Sequence, residues 1–240
     1  MVKYFDLANF SDASTVECHS GLIITFVHIK QNSKNQYSLM GTEIFGTDTD
    51  AYYEQVNALI ASPQEKVLHN DDCVLTYIVM RSMFEQATGD IRMFCEKFSI
   101  FQTSFKDSIE ADIHYPEGVR REVILRFREA VGKFLEKGHS LIAIIENPGE
   151  WKEEEKNGGY FAQLFKQYSS QIELKTATNK FYELLGITFF DMAPTMNNNM
   201  GAVRWEVGTN KEQAIVSSSA TMYRNHDKIF KQLNRFAEAI

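Results

Sequence analysis

The run SLIAIIE at residues 140–146, with five consecutive apolar residues, constrains the fold more than any other feature of the chain. A continuous apolar run of this length is typical of a strand that is buried on both faces, as in a parallel sheet. The segment before it ends at Gly138 and has apolar residues at helical spacing, namely Val123, Phe127, Ala130, Val131 and Phe134. An amphipathic helix that leads into a buried strand predicts an α/β fold with a mixed, largely parallel central sheet flanked by helices.

Helical and strand patterns alternate along the rest of the chain. Helices are predicted at residues 51–61, 71–87, 159–170, 179–186 and 220–239, and strands at 90–101, 172–177, 187–192, 201–208 and 212–219. Two further β-rich runs at 21–29 and 37–45 flank a polar turn, which predicts an N-terminal hairpin. The closing helix is expected to point Tyr223, Ile229, Phe230, Leu233 and Phe236 toward the core.

The size and composition indicate one domain. No Pro/Gly/Ser-rich linker divides the 240 residues. We therefore expect a single α/β domain over 1–240, in which an N-terminal hairpin and helix (1–70) precede the alternating core (71–240).

The charge and cysteine content limit the partners and the compartment. Lys and Arg number 25 against 32 Asp and Glu, and the net charge of -7 argues against an extended nucleic-acid surface. Cys18, Cys73 and Cys95 show no pairing or metal spacing, which predicts buried thiols in a reducing cytoplasm. Without a signal-like N-terminus or an apolar run of about 20 residues, we expect a cytoplasmic protein with no membrane contact.

From residue 71 onward the order of the segments resembles one half-domain of the phospholipase D superfamily. The resemblance rests on DIRMF, the helix and IAIIE strand, ITFFDM, AVRWE and YRNHDKIF, and it is strongest to degenerate, single-copy members. It implies a candidate homodimer through the sheet-edge side of the cleft, because family members assemble one site from two half-domains. It also implies a bacterial setting, including defence or mobile-element systems.

The catalytic box of that family is missing from the matching strand. Active members carry HxKx4D, in which His attacks phosphorus, Lys neutralises the nonbridging oxygens and Asp polarises the partner His. The strand here reads ITFFDMAPT, without His or Lys. The resemblance therefore implies a non-catalytic binding, sensing or regulatory protein, with Asp191, Asn198 and Arg204 left to contact a polar ligand.

A second stretch, VHIKQNSKN, keeps an alternative open. His28, Lys30 and Asn35 match the spacing HxKx4N, although Asn carries no charge and the stretch precedes the helix–strand alternation. A polar hairpin turn explains the same residues. If the box acts, His28 is the nucleophile or general acid/base and Lys30 holds phosphate, as in a divergent phosphodiesterase or nuclease completed across a homodimer.

Other chemistries have little support. Six histidines show no ligand-like pairing, so no metal site is predicted, and no phosphate-binding glycine loop implies a nucleotide cofactor. The acidic stretch 150–156 suits a solvated connection or first helical turn, and Trp151 within it is expected to be exposed as a partner anchor. The expected partner is an unknown protein or a phosphate-containing ligand, and no cofactor is expected.

Overall fold

The computed structural model describes residues 48–61, 73–177 and 216–240, together with residues 68, 196, 200 and 201. For strand residues at 14–18, 24–31, 37–40, 67–70, 195–196, 201–207 and 211–217 it describes the backbone. The helices are α1 (Thr49–Ala61), α2 (Cys73–Gln86), α3 (Thr103–Ala111), α4 (Glu117–Glu136), α5 (Gly149–Asn157), α6 (Tyr160–Gln167) and α7 (Ala220–Leu233). The strands are β1 (Ser14–Cys18), β2 (Ile24–Gln31), β3 (Tyr37–Met40), β4 (Val67–Asn70), β5 (Ile91–Cys95), β6 (Leu141–Ile145), β7 (Ile172–Thr176), β8 (Thr195–Met196), β9 (Gly201–Val207), β10 (Lys211–Ser217) and β11 (Glu238–Ala239).

An eight-stranded mixed sheet forms the centre of the fold, with strand order β11-β7-β6-β5-β8-β9-β10-β4. Strands β5, β6 and β7 are parallel, with Met93 opposite Ala143 and Ala143 opposite Leu174. The remaining pairs in this sheet are antiparallel. The predicted α/β class, the parallel pairing around residues 141–145 and the antiparallel pair β9–β10 are thus confirmed.

The first face of the parallel strands carries the main hydrophobic core. Ile91 and Met93 of β5 lie on this face with Leu141, Ala143 and Ile145 of β6, and helices α1, α2, α4 and α6 pack over them. Phe127 of α4 lies at the centre of an aromatic group, with ring centroids 4.3 Å from Tyr77 and 5.5 Å from Phe161. Aromatic pairs at these separations add to the free energy gained from burial.

The second face of the same strands is covered by α7. Phe94 and Ile144 point to this face and pack with Phe230 and Leu233 of the helix. Successive strand residues alternate between faces, so Phe94 and Met93 serve two different cores. Both faces of β5 and β6 are therefore largely buried, as the apolar run at residues 141–145 predicts, whereas β7 is only partly covered.

The N-terminal hairpin forms as predicted. Strand β2 pairs antiparallel with β3 on one side and with β1 on the other, which makes a separate three-stranded sheet. Strand β4 belongs to the eight-stranded sheet, where it pairs with β10. The division into residues 1–70 and 71–240 remains a prediction.

The expectation that Trp151 is exposed is wrong. The stretch that contains it forms a complete helix, α5, and Trp151 is 0% exposed. Its ring packs edge-to-face on Phe98, 5.0 Å between centroids, and 5.7 Å from Phe165. The acidic side chains occupy the outer faces of α5, so the one apolar residue turns inward. Trp151 is core, and it is not available as a partner anchor.

Phe236 also differs from expectation. Helix α7 ends at Leu233, after which the chain turns into the short strand β11 beside β7. Phe236 therefore leaves the helical face and is 52% exposed.

Two further elements differ from the prediction. Helix α3 was not predicted, and residues 99–101 form a single 3-10 turn where a strand was expected. The helix and strand predicted at 179–192 lie outside the described residues.

We predict that Trp151→Ala lowers the free energy of unfolding by about 3–5 kcal/mol, because it leaves a large cavity between Phe98 and Phe165. Trp151→Phe should cost much less, since the buried indole N–H has no hydrogen-bond partner to lose. Urea titration of both variants measures the difference. Equal losses for the two variants would contradict a purely apolar role for this ring.

Candidate functional site

The residues singled out from the sequence fall on two different sheets. His28 and Lys30 stand in β2 of the three-stranded sheet, where they pair with Met40 and Ser38. Arg204 stands in β9 of the eight-stranded sheet, opposite Ala214. Asp191 and Asn198 lie outside the described residues. A role for any of these five side chains remains a prediction.

A polar cluster between α7 and the sheet is the most distinctive charged feature of the described residues. It comprises Arg92 of β5 and Tyr223, His226, Asp227 and Lys231 of α7, and is named here the α7 cluster. Helix α7 begins where the Ser219 hydroxyl oxygen accepts hydrogen bonds from the backbone N–H groups of Thr221 and Met222. Residues three and four apart share a helix face, so Tyr223, His226 and Asp227 lie together against the sheet, while the mostly exposed Lys231 reaches Asp227 from one turn further along.

Arg92 connects the strand to the helix. Its guanidinium forms an ion pair with Asp227 and donates a hydrogen bond to the Tyr223 hydroxyl, with Nη2 3.0 Å from Oη. The other carboxylate oxygen of Asp227 lies 2.6 Å from Lys231 Nζ. Asp227 is only 17% exposed, so this carboxylate is stabilised by two cations in a site with little water.

His226 is the buried member of the cluster. Its side chain is 5% exposed, and its Nδ1 atom has no hydrogen-bond partner. The ring stands edge-on to Phe94, with centroids 6.0 Å apart. Burial lowers the pKa of His226 to about 4, because the charged imidazolium would lose its hydration. The imidazole is therefore neutral at physiological pH.

His226 also contacts the beginning of β9. A Cβ atom on Gly201 would lie 2.8 Å from His226 Nδ1, so glycine is needed here for the close approach. Just before this residue, Met196 N donates to Met200 O and joins the ends of β8 and β9. The α7 cluster thus adjoins Gly201, the first residue of the strand that carries Arg204.

The chemistry of the α7 cluster follows from its pairing. Arg92 and Lys231 both pair with the one carboxylate of Asp227, so the three side chains together carry one net positive charge, and the histidine is neutral and mostly shielded from water. A general base must reach the proton that it removes, and this ring packs against Phe94 and Gly201 instead. Within the described parts of the chain, no three or more His, Cys, Asp or Glu side chains gather to hold a metal ion.

Sequence reasoning did not find this cluster. Arg92 and the residues of α7 are separated by about 130 positions, and their individual patterns fit an ordinary strand and helix. The sequence does carry one signal. The positions of β5 that alternate with Ile91, Met93 and Cys95 would be polar if one face of the strand were exposed, but Phe94 is apolar, which indicates that both faces are covered. An arginine on a covered face needs a partner, and a carboxylate in the covering helix is the expected one.

No family model and no curated protein matches the chain. Among solved structures, it is similar to TrmBL2, an archaeal chromatin protein with a novel mode of DNA binding, at 11% identity and a TM-score of 0.48 over 80% of this chain. It spans 62% of that protein's length. Nuc from Salmonella typhimurium, a phospholipase D family member, gives 13% identity and a TM-score of 0.45, covering 74% of this chain and 99% of Nuc.

Phosphatidylserine synthase from Haemophilus influenzae Rd KW20 gives 11% identity and a TM-score of 0.44, covering 73% of this chain and 39% of that one. The neighbours thus include a member of the superfamily that residues 71–240 resemble. The similarity is one of fold. At these identities it assigns no role to any residue.

In the described part of the chain, no helix is both long and apolar enough to cross a bilayer.

We predict that stability falls by about 2 kcal/mol between pH 7 and pH 5 through His226 alone. Its pKa is about 4 when folded and about 6.5 when unfolded, so the unfolded chain binds more protons in this window. The stability is present above pH 6.5 and is lost as the pH falls toward 4.

Urea denaturation of the protein and of His226→Gln at both pH values measures this contribution. The variant should show a pH dependence smaller by that amount, whatever its stability at pH 7. An unchanged pH dependence would mean that His226 is not buried as a neutral imidazole.

Proposed function

We propose that this chain is a non-catalytic protein of phospholipase D-like fold that acts as a binding, sensing or regulatory component. The supporting observation is the internal pairing of the α7 cluster. Asp227 pairs with both Arg92 and Lys231, and His226 is packed as a neutral ring. Such groups hold a helix in place, whereas phosphodiester chemistry needs an accessible nucleophile.

We propose a ligand site formed by Asp191, Asn198 and Arg204, of which Arg204 stands in β9. Arg204 supplies a fixed positive charge suited to a phosphate group, and Asn198 supplies an amide that can donate or accept. His226 against Gly201 fixes the first residue of the strand that carries Arg204. A phosphate-containing ligand is the chemistry that this set of residues suits, and we propose that the protein works as a homodimer.

We predict that Arg204→Ala weakens binding of a phosphate-containing probe by about tenfold or more, because a charged hydrogen-bond donor is removed. Isothermal titration calorimetry with inorganic phosphate, a dinucleotide and a short DNA duplex tests this. Arg224→Ala is the matched control, since Arg224 is an exposed arginine of α7. Equal effects of the two substitutions on every probe that binds would contradict a ligand site at Arg204.

The alternative function is a divergent phosphodiesterase or nuclease that uses His28 and Lys30. The observation that favours it is their placement two residues apart in β2, where His28 pairs with Thr15 of β1 and with Met40 of β3, and Lys30 pairs with Ser38 of β3. Residues in a paired strand are held in a fixed register, which a reactive pair requires.

We predict that the protein does not hydrolyse bis-para-nitrophenyl phosphate or a DNA duplex above the rate of His28→Ala. The reason is that Asn35 replaces the acid which the catalytic box needs to orient its histidine. Rates are compared for the protein, His28→Ala and Lys30→Ala, with circular dichroism as the check on folding. Hydrolysis that is lost in both folded variants would establish the alternative.

A further inference from the structure

The outward half of helix α7 carries a row of basic side chains. Residues 220–236 contain four basic residues and one acidic residue, in a chain whose net charge is -7. At about 100° per residue, the four basic positions fall within roughly 60° of one another around the helix axis. The last of them lies in the single turn that follows Leu233, and all four side chains are exposed. This row, named here the α7 basic row, consists of Arg224, Lys228, Lys231 and Arg235.

Most of the positive charge in the α7 basic row is unpaired. Arg224, Lys228 and Arg235 form no ion pair with a carboxylate of the described residues. Asp227, the one acidic residue of the helix, is 17% exposed and lies between Arg92 and Lys231. Its charge is therefore already shared by two cations and largely shielded from an approaching anion. The outer surface of α7 is positive although the chain as a whole is acidic.

The four cations are spread along the helix and do not converge on one point. With a rise of 1.5 Å per residue, Arg224 and Arg235 are about 16 Å apart along the axis, and neighbouring cations are roughly 4.5–6 Å apart. A single phosphate group is too small to contact the whole row. A nucleic-acid duplex carries one phosphate per strand for about every 3.4 Å of its length, which is a comparable density of charge. The row therefore suits a polymer of phosphates better than a small anion.

The side chains beside the row also suit such a polymer. Thr221, Asn225 and Gln232 follow it on the side away from Asp227 by the same helical spacing, and all three are polar and uncharged. The Thr221 hydroxyl accepts a hydrogen bond from Arg224, with Nη2 3.4 Å from Oγ1. Hydroxyl and amide side chains are common donors to the phosphate and sugar oxygens of nucleic acids.

The apolar side chains of α7 are placed unfavourably for a membrane or a protein partner. A helix that lies on a membrane needs exposed apolar side chains beside its basic ones. Here Phe230 and Leu233 are buried against the sheet. Phe236 is exposed, but it lies roughly 100° around the axis from its neighbour Arg235. The centre of a protein interface is rich in aromatic residues and poor in lysine, which is the opposite of this row.

We infer that the α7 basic row binds the phosphate backbone of a nucleic-acid duplex, without preference for its base sequence. Contacts with phosphates hold a duplex through charge and carry no sequence information. The acidic remainder of the chain repels the same backbone, so the contact is confined to this helix. A net charge of -7 argues against an extended nucleic-acid surface, and a row of four cations is compatible with it.

The inference goes beyond the proposed ligand site at Arg204 and does not depend on it. Inorganic phosphate and a dinucleotide are too short to span the α7 basic row, so Arg224→Ala remains the matched control for those two probes. A duplex does span the row. Arg224→Ala should therefore weaken duplex binding whether or not Arg204 contacts a ligand, and the two proposals can fail separately.

Fluorescence anisotropy of the full chain with a labelled DNA duplex of about 20 base pairs, which is longer than the row, tests the inference. The logarithm of the association constant should fall with the logarithm of the salt concentration at a slope of about -3 to -4, because each phosphate contact contributes about -0.9. Lys228→Ala should weaken binding by roughly fivefold to tenfold at low salt and make the slope shallower by about 1. The double substitution Arg224→Ala with Lys228→Ala should make it shallower by about 2.

Lys133→Ala is the matched control, since Lys133 is an exposed lysine of α4, which packs on the opposite face of the sheet. It changes the net charge equally and should leave both the association constant and the slope unchanged. A second duplex of unrelated sequence should bind equally well. Circular dichroism and thermal unfolding establish that each variant is folded.

Three results would overturn the inference. The first is no duplex binding at low salt, and vesicles of phosphatidylserine and phosphatidylcholine that bind instead would assign the row to a membrane. The second is an equal effect of Lys133→Ala and Lys228→Ala, which would mean that only the net charge matters. The third is duplex binding that Arg204→Ala abolishes and Lys228→Ala leaves unchanged, which would support the proposed ligand site and exclude the α7 basic row.

Discussion

Strands β5 and β6 are largely buried on both faces, and the rest of the structure depends on that constraint. A parallel strand rich in Ile and Leu cannot leave one face in water without losing much of the free energy gained on folding. Several helices cover the first face. Among the described elements, α7 covers the second, where Phe230 and Leu233 pack on Phe94 and Ile144. The position of α7 therefore determines whether the second face of the sheet is shielded from water.

Apolar contacts alone do not fix that position closely. Phe230 and Leu233 could reach a flat strand surface in more than one rotation or shift of the helix. The ion pair of Arg92 with Asp227 and the fit of His226 on Gly201 each allow one arrangement. Removing one partner of such a pair leaves a poorly hydrated charge, at a cost of about 3–5 kcal/mol. We infer that the α7 cluster determines where α7 sits on the sheet more than it raises the free energy of unfolding.

The layers of the fold were predictable because their signals are local and agree with one another. Helix α4 repeats its apolar residues at helical spacing and stops at a glycine, and β6 is a single apolar run. Trp151 was misjudged because its neighbours in sequence are acidic, yet exposure depends on which face of α5 meets the core. The ion pair between Arg92 and Asp227 was not predictable, since it joins distant segments through the tertiary structure. The sequence draws attention to His28 and Lys30 because they lie two residues apart, and a short spacing is visible without the tertiary structure.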